Sequence, residues 1–130
     1  MAYMTRFTLL LSLLLFQGCA IAKETRCGWL DNPSPGNYWL SDKDGTWIIA
    51  RQGAEQAEGV ELLTPQRETD FVNMNYGYGY SCACIRVEAN HDTQLIEKIY
   101  KYKQLSLEQC LDDDSIKKRN IRLRSPGERN

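Results

Sequence analysis

The residues best equipped for chemistry in this chain are five cysteines, one histidine and a set of aromatic rings. Two of the cysteines stand one residue apart in Gly77-Tyr78-Gly79-Tyr80-Ser81-Cys82-Ala83-Cys84. Side chains on an extended strand alternate between faces, which puts Tyr78, Tyr80, Cys82 and Cys84 on one side and Gly79, Ser81, Ala83, Ile85 and Val87 on the other. The small side chains at 79, 81 and 83 permit close approach of another backbone or a bulky group. A bridge between Cys82 and Cys84 would close a strained ring, so each is expected to reach a different partner. With Cys27 and Cys110 two patterns stay open, 27–82 with 84–110 or 27–84 with 82–110. A zinc site from the same four thiols is the competing chemistry. Zinc ligand pairs usually have two to four intervening residues, whereas only Ala83 separates Cys82 from Cys84.

Other catalytic signatures are weak. His91 falls in the turn signal Asn90-His91-Asp92, where a solvated side chain is expected. Any Ser- or Cys-based hydrolase would need it as the base, and no Gly-x-Ser-x-Gly elbow is present. Gly77-Tyr78-Gly79 is followed by Cys82 where a nucleotide fingerprint needs its third glycine. No spacing singles out a carboxylate pair for glycoside hydrolysis. A non-catalytic protein without cofactor or metal is the expectation.

The rings offer a better handle. Trp29, Trp39, Trp47, Tyr76, Tyr78 and Tyr80 can fill a core and cover disulfides. Exposed beside Asn or Asp groups, such rings instead stack on sugars or grip a protein partner. The binding candidates are Tyr76, Tyr78, Tyr80 and Trp39, because a row on one strand face need not all be buried.

Elements that must position these residues begin with an export signal. Arg6 precedes an apolar run from Phe7 to Phe16 that is too short to span a bilayer and lies at the N-terminus. Ala20-Ile21-Ala22 supplies a small-x-small cleavage site, giving a signal peptide over residues 1–22 and a periplasmic chain from Lys23. Leu15-Phe16-Gln17-Gly18-Cys19 resembles a lipobox, by which cleavage before an acylated Cys19 would give an outer-membrane lipoprotein instead. Membrane attachment is expected only on that second route. Either way Cys27, Cys82, Cys84 and Cys110 remain as an even set in an oxidising compartment, where each bridge contributes about 2–4 kcal/mol.

Removing residues 1–22 takes away Arg6 and no acid, leaving 15 basic against 17 acidic residues. That balance argues against general nucleic-acid binding. The remaining chain is long enough for one small domain with a modest core. A disulfide-stabilised body is expected over 23–118, followed by a basic, partly disordered tail over 119–130 that carries Arg119, Arg122, Arg124 and Arg129.

Local signals within the body point to β-structure. Asn32-Pro33-Ser34-Pro35-Gly36-Asn37 reads as an extended loop. Tyr38-Trp39-Leu40 and Thr46 to Ala50 flank turn chemistry at Ser41 to Gly45 and predict a hairpin. Gln52 to Gly59 reads as a polar loop or bulged edge, and Val60 to Leu63 as a short strand. A short strand at Phe71-Val72 leads to a central strand from Tyr78 to Glu88. Residues 94–104 fit both a helical stripe and a strand, and the turn before them favours a strand hairpinned to 78–88. Ser106-Leu107-Glu108-Gln109 has capping-box spacing for a short helix carrying Cys110 and Leu111. The fold class is a mainly β small single domain with hairpins, a short C-terminal helix and two disulfides.

Several motifs together carry a resemblance. Thr25-Arg26-Cys27-Gly28-Trp29-Leu30-Asp31-Asn32-Pro33, Asp44-Gly45-Thr46-Trp47-Ile48, Gln52-Gly53, Gln56-Ala57-Glu58-Gly59, Tyr76-Gly77-Tyr78-Gly79-Tyr80 with Cys82-Ala83-Cys84, and Leu107 with Cys110 resemble domain-of-unknown-function family 4087. These are short exported bacterial proteins, and the likeness covers roughly residues 25–118. It implies export and a four-cysteine pattern, and it implies no activity. The chain departs from the pattern at Ala54 and Glu55, which follow Gln52-Gly53 where similar chains often have Gly and Tyr. The functional expectation is an exported envelope protein binding a protein or glycan through aromatic surface residues. The alternatives are a small periplasmic enzyme whose acids converge only in three dimensions, or a structural envelope protein without a discrete ligand.

Overall fold

The computed structural model describes residues 21–121. Cys19 and nearly all of the expected signal, together with residues 122–130, lie outside the described residues. Six strands and one helix make up the body: β1 (Glu24–Ser34), β2 (Asn37–Asp42), β3 (Gly45–Ala50), β4 (Phe71–Asn75), β5 (Tyr78–Asn90), β6 (Leu95–Leu105) and α1 (Leu107–Asp112). Among the described residues no helix is long and apolar enough to cross a membrane.

The strands close on themselves. β1 pairs with β2, β2 with β3, β3 with β6 and β6 with β5, and β5 returns to β1 through partners running from Glu24↔Val87 to Asn32↔Gly79. The β3–β6 contact is parallel and narrow, centred on Ile48↔Leu95, while the other pairings are antiparallel. β4 shares the β6 edge of β5, pairing with its first residues ahead of β6. A five-stranded, partly open ring with this mixture of closures has the connectivity of the OB-type Greek-key barrel.

Alternation along β5 decides inside from outside. Gly79, Ser81, Ala83, Ile85, Val87 and Ala89 are all buried. Ala83, Ile85, Val87 and Ala89 join Leu30, Leu40, Trp47, Ile49, Leu63, Ile96 and Ile99 in the barrel core. A second cluster lies outside the ring, where Trp29 and Cys82 are covered by Leu107 and Cys110 of α1 and by Ile116. Ser106 and Gln109 form a capping box that starts α1 where the sequence predicts it.

The bridges are Cys27–Cys84 and Cys82–Cys110. The register explains the choice between the two open patterns. Cys27 stands directly opposite Cys84, with Cα atoms 4.0 Å apart, whereas Cys82 faces Trp29 and reaches outward to the helix. The pattern 27–82 with 84–110 is not adopted.

Two local readings need correction. The segment Asn32 to Asn37 is not a free loop: β1 continues to Ser34, and Pro35-Gly36 turns it into β2. An irregularity between Asp31 and Ser34 accommodates Pro33, and the Asn32 amide donates to the Ser34 and Asn37 carbonyls. Val60 to Leu63 is no strand either. Val60–Leu62 is a 3-10 turn, entered through Gly59 at φ 87°, which breaks the extended run and drops Leu63 into the core. The ambiguous stretch before α1 is strand β6, paired with β5 as expected.

Candidate functional site

Asp31, on the outer face of β1, faces Trp39 of β2 on one side and Tyr80 of β5 on the other. Trp39 in turn faces Ile48, and Tyr80 faces Val72 of β4. Five strands therefore contribute to one transverse row on the outside of the barrel.

The chain after α1 returns to this row as a strap. Trp29 Nε1 donates to the Lys117 carbonyl at 2.9 Å, and Ile116 is buried beside the Cys82–Cys110 bridge. Arg119 then reaches Asp31 with both terminal nitrogens, at 2.7 and 2.8 Å. Its guanidinium lies 4.4 Å from the centre of the Tyr80 ring and 5.2 Å from that of Trp29, and the two rings meet edge to face. Such a planar cation stacked on rings and held by a carboxylate is oriented on every side but one. The open side faces a groove of about 320 Å³ lined by Asp31, Pro33, Met74, Gly79, Tyr80 and Arg119.

The β4–β5 hairpin forms one wall. Asn75↔Tyr78 closes a two-residue turn in which Tyr76 and Gly77 have φ of 47° and 89°. Two positive φ values match a type I′ turn, a place that favours Asn or Gly and disfavours a large ring. The Asn73 side chain accepts from the Gly77 amide and holds the turn. Tyr76 is 97% exposed and Met74 69%. Gly79 is required by close approach, since a Cβ there would meet the Val72 carbonyl at 1.8 Å.

The predicted binding residues are thus only partly gathered. Tyr80 lines the groove and Trp39 stands two strands away in the same row, both partly buried. Tyr76 caps the hairpin next to Met74. Tyr78 lies beyond the irregularity at Asn73/Asn75 and does not line the groove. Near it Tyr38 packs on the core, its phenol pushed above the usual value by burial and, to a lesser degree, by Tyr78. Trp47 is a core residue and Trp29 is sealed beneath the strap. Sequence reasoning missed Asp31 and Arg119, which lie 88 positions apart with no local pattern to connect them.

A second polar cluster closes the far end of the barrel. Arg26 lies 3.6 Å over the Trp47 ring and donates to Asp42, Asp44 and Glu24. Burial opposes its charge, yet the bonds to Asp42 and Asp44 more than offset this and raise its pKa. Asp42 also accepts from Trp47 Nε1 and the Asp44 amide. His91 is exposed as expected of a turn residue, pairs with Glu24 at 2.8 Å and meets the Trp47 ring edge-on. Carboxylates do converge here, but as the ion-pair partners of one arginine. Of the two hollows described, the groove holds the single acid Asp31 and the other, of about 50 Å³, holds none.

Against known proteins, a family model described as "Protein of unknown function (DUF4087)" matches residues 21–117. No curated protein and no solved structure matches.

Proposed function

This chain belongs to the DUF4087 family of unknown function, and we propose that it is a non-catalytic envelope module that binds a protein or glycan in the groove beside Arg119. Residues 1–22 act as its export signal, in keeping with two disulfides that call for an oxidising compartment. The observation that carries the reading is the pairing of a ring-stacked, half-open guanidinium with two exposed apolar side chains, Met74 and Tyr76. Holding Tyr76 at positive φ costs backbone energy that a smaller residue would avoid, and such strain tends to persist where it serves a site. By analogy of fold alone, OB-type barrels take oligomeric ligands on the outer face that includes their second strand, where Trp39 sits.

A photo-crosslinking aromatic at position 76 in the exported protein tests this directly. It is expected to capture one discrete envelope protein or glycan, and a second substitution, Arg119→Ala, is expected to cut that capture at least tenfold. The same probe at Leu62, which is 44% exposed and away from the groove, serves as the reference. Equal labelling from positions 62 and 76 would remove the basis for a binding site here.

A further inference from the structure

The outer face of the barrel beyond the Cys27–Cys84 bridge carries an excess of positive charge. Arg86 of β5 is the register partner of Lys101 on β6, and Cys84 is the partner of Lys103. Like charges set opposite one another destabilise a sheet. Arg86, Lys101 and Lys103 are exposed, and none forms an ion pair among the described residues. Lys23 joins them from just before β1, its ammonium 4.1 Å from the centre of the Tyr100 ring. Lys98 also approaches that ring but pairs with Glu58. The facing acid, Glu88, accepts from the Tyr100 hydroxyl. Lysines on a free strand edge discourage aggregation, but that account does not cover Arg86, whose strand is paired on both sides.

We propose that this face, centred on Arg86, Lys101 and Lys103, seats the domain on an anionic lipid surface. The chain's own path selects that partner. Everything before Lys23 enters the fold here, and Cys19 lies four residues upstream, within about 14 Å of extended chain. Acylation of Cys19 would bring lipid within that reach of the basic face. Cleavage before Lys23 would instead place a new α-amino cation on it. Both routes strengthen the same contact, and the contact is independent of the groove.

The test uses the exported protein carrying Cys19→Ser, so that no acyl chain holds it to lipid, in sedimentation with vesicles. Binding is expected to phosphatidylglycerol-containing vesicles and not to pure phosphatidylcholine, and to weaken as salt rises. Arg86→Gln, Lys101→Gln and Lys103→Gln together are expected to weaken it on the order of 100-fold, from roughly fivefold per charge. Lys101→Gln alone, expected to lose about fivefold, keeps the test valid should the triple variant unfold. Unchanged binding by these variants, equal binding to phosphatidylcholine, or loss of binding on deleting 122–130 alone would overturn the proposal. Displacement by millimolar inorganic phosphate would also overturn it, assigning the face to a soluble anion.

Discussion

Arg26 and Arg119 each lie against an aromatic ring and pair with an aspartate of the barrel, Trp47 and Asp42 in one case, Tyr80 and Asp31 in the other. Their surroundings differ. Arg26 belongs to β1 and its side chain is 6% exposed, with Asp42 at 4%. Glu24 and Asp44 pair with its two terminal nitrogens as well. Arg119 arrives from outside on the strap, is 25% exposed, and meets a single carboxylate. The same chemical parts thus close one end of the barrel and leave the outer row open. Burial and the number of carboxylates around the cation, more than its identity, separate an arginine that holds the fold from one that can meet a ligand.

Substitutions can break that contrast in graded order. Arg26→Met is expected to cost about 3–5 kcal/mol, because Asp42 would be left buried without its cation. Chemical denaturation would show it, and a loss below about 1 kcal/mol would mean that the two arginines do not differ in this way. Arg119→Ala is expected to cost only about 1 kcal/mol, as a partly exposed pair, while releasing the strap from Tyr80. Faster amide exchange confined to 113–121 is the matching local signature. Tyr76→Asn should stabilise the protein, by about 0.5–1 kcal/mol, since Asn tolerates the left-handed backbone several-fold better. Thermal melting checks the sign.

Acid gives the smallest effect. Asp44 is held below its ordinary pKa by hydrogen bonds from Lys43 first and Arg26 second. Its folded pKa is depressed, so its contribution is complete above the ordinary carboxylate value near 3.8 and fades as pH falls through the lowered one. Asp44→Asn is therefore expected to flatten the decline in stability below about pH 4. An unchanged decline would show that Asp44 is not held by the closed cluster.

Legibility of the fold in the sequence followed the range of the forces involved. The period-two pattern of Gly79 to Ala89, the turn at Asp42 to Gly45 and the capping box at Ser106 are local, and each has its predicted place. Val60 to Leu63 misled because its apolar content suits a strand, while Gly59 is pressed against the Ile99 carbonyl and turns the chain. Ring closure depends on pairs such as Glu24↔Val87 that no local signal announces. The candidate site was half legible. Tyr76, Tyr80 and Trp39 were visible as rings, but Arg119, the cation stacked on Tyr80, sat in what reads as a solvated tail.

The crossed arrangement of the two bridges bears on how the chain matures. A polypeptide exported N-terminus first presents Cys27, then Cys82 and Cys84, and last Cys110. An oxidant joining thiols in order of appearance would link Cys27 to Cys82 and strand Cys84 for Cys110. The native links, 27–84 and 82–110, interleave instead. Correct joining therefore has to wait until β1 lies in register along β5, or be reached afterwards by thiol exchange. The covalent pattern is in that sense a record of strand alignment: shifting β1 by two residues would face Cys27 with Cys82, its wrong neighbour.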